Sequence, residues 1–439
     1  MISESRIEFL STEAWGQWHT ELLQSVVNRV YTRVPFYKNL LDKEGIDPSQ
    51  ITSVEMLKLL PFTTREDLAN HYPYDFFAVP LRDIVRIHTF KSSQLSPIVI
   101  GYTKRDLEIR QFLAIRAFNV FGVRPEDIVQ ICLDPGMSTW SLELKEAAES
   151  LGALVIPPDP LCAKDRIKVM RDFKTSVLIT TPSYGLYLLS IAKEKGLGPR
   201  ELSLRIGVFI GESLNDRDRK ELERGFGLRA FSIYGIMEAM GPVMAYECRD
   251  SEGLHLALDH IIPEVIDPKT LEPIFNGEGE LVITTATTKA NPLIRFRTGD
   301  ITKISQNVCK CGRTTWRIEP IKGRADNLVN VRGIKIDVGL IKQLLIEYCN
   351  GYEPKFLFVI RKKDFLEHIE LWVAMDPHIF SASLPELHLW IRGLEGKFKD
   401  YIGLDCVVRP VEKRTITPFL DRDKEVVYLN DNEINSLLL

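Results

Sequence analysis

The chain has 439 residues, 45% of them hydrophobic and 26% charged, which exceeds one ordinary core and predicts a globular protein of two or more domains. A net charge of -4, with acidic and basic residues interspersed, offers no general attraction to nucleic acid or anionic lipid. Residues Met1 to Arg6 lack the basic region and apolar core of a secretory signal, no apolar run approaches the roughly 20 residues that span a bilayer, and seven scattered cysteines make no disulfide framework, so a reducing cytoplasm is expected.

Up to about residue 80 the pattern predicts helices joined by Pro-marked turns. Leu22, Val26, Val27 and Val30 recur at helical spacing until Pro35 stops the run. Thr63-Thr64-Arg65-Glu66-Asp67 then reads as a helix start, with a hydroxyl cap and acids in the first turn. From about 84 to 325, short β-rich runs alternate with longer amphipathic ones. The runs Ile128–Cys132, Ala153–Ile156, Ser176–Thr180 and Ile206–Ile210 are expected strands, and 141–151, 163–173 and 214–224 the helices between them. Strands separated by helices indicate βαβ units and a largely parallel sheet. After Ile261 the texture turns hairpin-like, through Pro263–Pro268 and Gly277–Ile283. From about 327 a smaller unit opens with a hairpin, continues with a helix near 338–348, and shows strands at Leu357–Arg361 and Ile369–Val373. The expectation is an α/β chain: a large, multi-sheet αβ domain over 1–325, helical over 1–80, and a small α+β domain over 326–439.

Three short motifs follow in order: Tyr234-Gly235-Ile236-Met237-Glu238, Arg297-Thr298-Gly299-Asp300 and Gly323-Arg324-Ala325-Asp326. Around them stand Val34-Pro35-Phe36-Tyr37, Leu60-Pro61-Phe62-Thr63-Thr64, Arg86-Ile87-His88, Gly101-Tyr102-Thr103, Thr181-Pro182-Ser183-Tyr184, Gly211-Glu212, Gly241-Pro242 and Arg332-Gly333. This series resembles the phenylacetate–CoA ligase family of adenylate-forming enzymes along nearly the whole chain. The resemblance implies that family's fold, with a small C-terminal domain that moves. It implies ATP-dependent ligation of an aromatic carboxylic acid to CoA by way of an acyl-AMP.

Roles for single residues follow from the same resemblance. Glu238 would help to hold the Mg²⁺ bound to ATP, since a hard cation is satisfied by one carboxylate with phosphates and waters. Asp300 would accept hydrogen bonds from the ribose hydroxyls. Arg324 would reach the nucleotide, and Asp326 would be the hinge between two domain arrangements, one for adenylation and one for thioester formation. Tyr234, Gly235, Gly211, Glu212, Ser92 and Ser93 fall in its nucleotide-binding segments. Lys424, with Arg422 next, stands in the region of the lysine that stabilises charge at the α-phosphate. A homodimer is the default for such an enzyme.

Zinc is a separate expectation. Cys309-x-Cys311 followed by Gly312 is a tight turn that aims two thiolates at one ion, and Cys248 with His255 supplies two further ligands. A Cys₃His set suits tetrahedral structural Zn²⁺. The four positions match a pattern found in some members of the family, and Asp259 or His260 are the substitutes for His255.

Departures from the family are also plain. Its phosphate loop, Ser-Ser-Gly-Thr-Thr-Gly-Lys-Pro, wraps the β- and γ-phosphates with backbone amides. Here the run reads Phe90-Lys91-Ser92-Ser93-Gln94-Leu95-Ser96-Pro97, without the glycines or the lysine. Met237 replaces a hydroxyl residue before Glu238, and a thioether cannot donate a hydrogen bond. Gly136-Met137-Ser138-Thr139-Trp140-Ser141-Leu142-Glu143 fills a glycine-rich run near the acyl and CoA side. Three readings therefore stay open: an AMP-forming acid–CoA ligase, a catalytically impaired nucleotide- or acyl-binding module of the same fold, and an adenylating enzyme with an acceptor other than CoA.

Overall fold

A computed structural model describes residues 6–90, 97–133, 138–158, 161–250, 252–326, 328–363, 365–376, 384–421, 425–430 and 433–434. The chain divides into two units, residues 1–182 with 191–326 and residues 183–190 with 327–439.

The first unit begins with α1 (Thr12–Arg33), whose first turn is capped by Ser11 accepting from the Ala14 amide. Trp15, His19, Leu23, Val26, Val27 and Val30 form its buried stripe at helical spacing. The extended Val34 ahead of a proline ends it, and Pro35 opens α2 (Pro35–Lys43). A capping box between Thr64 and Asp67 starts α3 (Arg65–Asn70), which puts Arg65 in the first helical turn. Strands β1 (Arg86–Phe90) and β2 (Ile98–Tyr102) pair antiparallel. A second capping box, Thr103 with Asp106, starts α4 (Lys104–Phe121), which ends at left-handed Gly122.

Then come β3 (Ile128–Cys132), α5 (Ser138–Ser150), β4 (Leu154–Ile156), α6 (Ala163–Asp172), β5 (Val177–Thr180), α7 (Pro182–Glu194), β6 (Ile206–Phe209), α8 (Asp216–Phe226) and β7 (Arg229–Ile236). The strands lie parallel in the order β4-β3-β5-β6-β7. Every residue of β5 and β6 is buried, as the continuous apolar runs require of strands covered on both faces.

The same sheet continues antiparallel through β8 (Gly241–Glu247), β9 (Leu254–Leu256), β10 (Ile261–Ile266), β11 (Glu278–Thr285), β12 (Phe296–Ser305) and β13 (Arg317–Ile318), in the order β7-β8-β9-β13-β12-β11-β10, with β14 (Gly323–Arg324) also on β12. The switch from parallel to antiparallel thus comes at the return from β7 to β8, earlier than the change of texture after Ile261 predicts. Tyr234 lies opposite Ala245 and Gly235 meets the Gly241-Pro242 backbone at that return, and the largely apolar, fully buried β8 gives no alternation to reveal it.

In the second unit, β15 (Leu328–Val331) and β16 (Ile334–Asp337) form a hairpin around Arg332 and Gly333, at φ 51° and 82°. Positive φ at both turn residues matches the right-handed twist of the two strands. Asp337 caps α9 (Val338–Tyr348) by accepting from the Gly339 and Leu340 amides. Four strands, β17 (Phe356–Lys363), β18 (Leu366–Ala374), β19 (Cys406–Val411) and β20 (Val426–Leu429), lie in the order β19-β18-β17-β20. The central pair is antiparallel and the outer pairings are parallel, with α10 (Leu384–Ile402) and α11 (Lys413–Leu420) in the connections. Phe358, Trp372 and Phe398 are among its fully buried side chains. Among the described residues, no helix is long and apolar enough to cross a membrane.

Candidate functional site

The parallel strands aim their carboxyl ends one way, the usual place for a ligand in an open α/β sheet. Gly211, at φ 88°, turns the chain after β6 and is followed by Glu212. At the end of β7 the register with β8 shifts between Tyr234 and Ile236. A Cβ on Gly235 would overlap the carbonyl of Gly241, so only glycine lets the two backbones meet there. The tight return leaves Glu238 in a turn over 237–240, with 4% of its surface exposed.

Strand β12 supplies the opposite wall. Arg297 is not part of it, because its guanidinium crosses to Glu280 on β11 at 2.6 Å. Gly299 sits at φ 77°, and a Cβ there would overlap the Asp326 carboxylate. Asp300 lies opposite Arg324 in the β12–β14 register. The Tyr234 hydroxyl donates to Asp300 Oδ2 at 2.7 Å, and Arg324 Nη1 donates to Asp300 Oδ1. Arg324 also meets both oxygens of Asp326 at 2.6 Å.

Sequence reasoning missed the residue that completes the set. Arg65 Nε donates to Glu238 Oε1 at 2.5 Å, and its Nη1 donates to the Thr298 carbonyl at 2.9 Å and to Asp326 Oδ2 at 3.3 Å. The Thr298 carbonyl accepts from Arg324 Nη2 as well, at 3.0 Å. One continuous chain of contacts therefore runs Glu238–Arg65–Asp326–Arg324–Asp300–Tyr234. A signal for Arg65 existed: a cation in the first turn of a helix opposes the helix dipole, and such local conflicts mark functional positions.

Two guanidinium groups face three carboxylates here, so the set carries one excess negative charge. Burial works against the Arg324 charge, but Asp326 and Asp300 overcome it and hold that guanidinium more basic than usual. Burial, reinforced by Asp300, pushes the Tyr234 phenol well above its ordinary value, so it stays a hydrogen-bond donor. Such a set presents carboxylates to a hydroxyl pair or a hard cation and guanidinium groups to phosphate. Ser92, Ser93, Leu95, Arg422 and Lys424, together with Gly136 and Met137, lie outside the described residues.

Past the end of β8 opposite to the 237–240 turn, Cys248 forms a second cluster with His255, Cys309 and Cys311, whose ligand atoms all lie within 4.8 Å of one another. Pairing of β9 with β8 and with β13 brings the segments together, with His255 opposite both Tyr246 and Arg317. The Cys309 amide bonds the Arg313 carbonyl and left-handed Gly312 closes back on Cys309, which makes the tight turn. Cys248 and Cys309 sulfurs are 3.6 Å apart, and Cys311 Sγ is 3.5 Å from His255 Nε2. Those separations are close to what a tetrahedral ion with bonds of about 2.3 Å to sulfur requires. His255 Nδ1 meets Thr315 Oγ1 at 2.8 Å, which leaves Nε2 toward the thiols, and burial holds the ring neutral by pulling its pKa down to about 4. Burial pushes the Cys248 thiol up to about 12, the state a bound cation would reverse. Asp259 is taken by Arg116 and His260 Nδ1 by Thr287, so neither substitute joins the cluster. The donor set fits zinc.

No protein-family model matches the chain. A phenylacetate-coenzyme A ligase of Thermus thermophilus is 35% identical over 93% of this chain and 95% of its own, and one of Escherichia coli is 32% identical over 92% of each. The chain belongs to the phenylacetate–CoA ligase family. Among solved structures, a 2-hydroxyisobutyryl-CoA ligase in complex with 2-HIB-AMP and CoA matches 99% of this chain and 94% of its own, with a TM-score of 0.90. An amide bond synthetase of Marinactinospora thermotolerans matches 76% and 66%, with a TM-score of 0.56. At 23% and 14% identity these two bear on the fold alone, which is that of adenylate-forming CoA ligases.

Proposed function

We propose that this chain is an AMP-forming acid–thiol ligase that joins a carboxylic acid, aromatic by the names of its relatives, to CoA. The observation that carries the reading is the contact chain from Glu238 to Tyr234, in a family member with the fold of adenylate-forming ligases. In the first half-reaction the acid's carboxylate oxygen attacks the α-phosphorus of ATP and pyrophosphate leaves. In the second, the CoA sulfur attacks the acyl carbon and AMP leaves with the bonding pair. Positioning and charge neutralisation lower both barriers.

Asp300, oriented by the Tyr234 hydroxyl, holds the ribose diol, and Arg324 faces the α-phosphate. Glu238 is the carboxylate to which Mg²⁺ would be held, and the ion would neutralise the phosphate oxygens. Arg65, beside Glu238, supplies a second cation on the phosphate side. Gly211, Glu212 and Gly235 shape the nucleotide's bed at the strand ends. Asp326 is the hinge, and the small unit moves between the half-reactions. Zinc in the Cys248–His255–Cys309–Cys311 cluster would pin β8, β9 and the 309–312 turn, away from the chemistry.

A second reading rests on the run Phe90–Pro97, which lacks the glycines and lysine that cradle a triphosphate: a module that binds AMP or an acyl group without turnover. Titration calorimetry with Mg–ATP against AMP separates the two. The ligase reading expects tight Mg–ATP binding and acid-dependent pyrophosphate exchange; binding of AMP alone, with no exchange, would leave the module. Exchange without thioester formation in the presence of CoA would point to a different acceptor.

A further inference from the structure

Arg110 on α4 and Glu143 on α5 form an ion pair that is nearly sealed from solvent, at 4% and 2% exposure. Arg110 Nε donates to Glu143 Oε1 at 2.8 Å, and the guanidinium lies 4.6 Å from the centre of the Tyr102 ring. Burying two charges costs more than burying two apolar chains of the same size unless their geometry serves something else. What it serves is visible at a second nitrogen. Arg110 Nη1 donates to the carbonyl of Ala239 at 2.6 Å, the residue after Glu238 in the turn over 237–240. Ala239 is itself buried, so its carbonyl would otherwise stand unpaired away from water.

The niche is built around this pair. Gly241, at φ 82°, ends the turn, and a Cβ on it would lie 2.5 Å from Arg110 Nη2 and 2.6 Å from Glu143 Oε2. Among the described residues neither of those two atoms has a hydrogen-bond partner, so the bonds of Nε to Glu143 and of Nη1 to Ala239 are the directional ties between the guanidinium and its niche.

We propose that Arg110 and Glu143 are a positioning pair, which fixes where the 237–240 turn presents the Glu238 carboxylate to metal-bound nucleotide. The claim about nucleotide rests on the ligase reading; the claim about the turn does not. Amide hydrogen exchange and kinetics on the full chain test the two parts separately. In Arg110→Met, amides of residues 237–241 are expected to exchange at least about tenfold faster than in the unaltered chain, with those of β5 and β6 within about threefold. The KM for Mg–ATP in pyrophosphate exchange is expected to rise about tenfold, with the KM for the acid within about twofold. Arg110→Lys, which keeps a donor and the charge, should recover most of both effects, and Glu143→Gln should fall between. Uniform loosening of the whole sheet, equal rises in both KM values, or no rescue by lysine would overturn the proposal. If the unaltered chain binds no Mg–ATP, the ligase reading fails while the exchange of the 237–241 amides still decides the pair's role.

Discussion

Glu238 accepts a 2.5 Å hydrogen bond from Arg65, so any hard cation at that carboxylate works beside a guanidinium and must bring its own phosphate and water ligands. Glu238→Gln keeps the acceptor for Arg65 but removes the charge that a divalent ion needs. Mg–ATP affinity is expected to fall at least tenfold by calorimetry, with AMP affinity within about threefold because AMP needs no metal bridge; equal losses for both would contradict the role. For Arg65→Met, loss of one charge-assisted contact of roughly 1.5–3 kcal/mol predicts a ten- to hundredfold rise in the KM for Mg–ATP. His88 offers a residue-scale test of stability against pH. Its Nδ1 meets Thr139 Oγ1 at 3.0 Å, and its buried Nε2 has no hydrogen-bond partner among the described residues. Burial, then the Arg110 and Arg86 charges, pull its pKa down to about 4, while the Tyr102 ring packs 5.3 Å away. The folded ring stays neutral where the unfolded chain takes up a proton, so this contribution is full above pH 6.5 and lost as pH falls from 6.5 toward 4. His88→Asn should flatten that part of the melting-temperature profile; identical profiles would mean that the ring is not the group titrating.

Among the elements, β8, β9 and β13 meet where the cysteine cluster lies, and a metal that binds only the folded arrangement must stabilise it. One zinc per chain is expected by elemental analysis. Chelation or Cys309→Ser should lower the melting temperature by about 3 °C or more, on the scale of a loss of roughly 2 kcal/mol or more in a unit of this size. Metal-free protein with an unaltered melting temperature in chelator would remove the site. These same elements show what local pattern can reveal. The parallel strands β3 to β6 and the helices α5, α6, α8 and α9 fall within a few residues of the apolar runs and periodicities that predict them, whereas α7 is not among the expected helices. So does the Thr64–Asp67 capping box, because hydroxyl, spacing and acid are all local. The β7–β8 return was not legible, since β8 is buried throughout and carries its only charge at Glu247, and its partner is set by a close approach of two glycines. The motif residues Tyr234, Glu238, Asp300, Arg324 and Asp326 stood out because three motifs occur in order. Arg65 and the Arg110–Glu143 pair did not, since each matters only through a contact with chain far away in sequence.

At the scale of the whole molecule, the last question is how one chain would carry out the two proposed half-reactions, which have different attacking groups. Asp326 is the last residue of the first unit, and its carboxylate is held by Arg324 and Arg65. If the backbone there is the hinge, a single φ restriction should separate the half-reactions, because adenylation and thioester formation would need different angles at that residue. Asp326→Pro alone would be ambiguous, since it also removes the carboxylate; Asp326→Ala removes the carboxylate and leaves the backbone free. Relative to the alanine variant, the proline variant is expected to keep acid-dependent pyrophosphate exchange within about threefold while CoA-dependent thioester formation falls at least tenfold, a difference near 1.4 kcal/mol in the second barrier. The reverse pattern would still place the hinge at Asp326 but with proline favouring the other arrangement. Equal behaviour of the two variants in both assays would mean that the swing, if the enzyme uses one, turns on another residue, and that the ion pairs of Asp326 with Arg324 and Arg65 are its whole contribution.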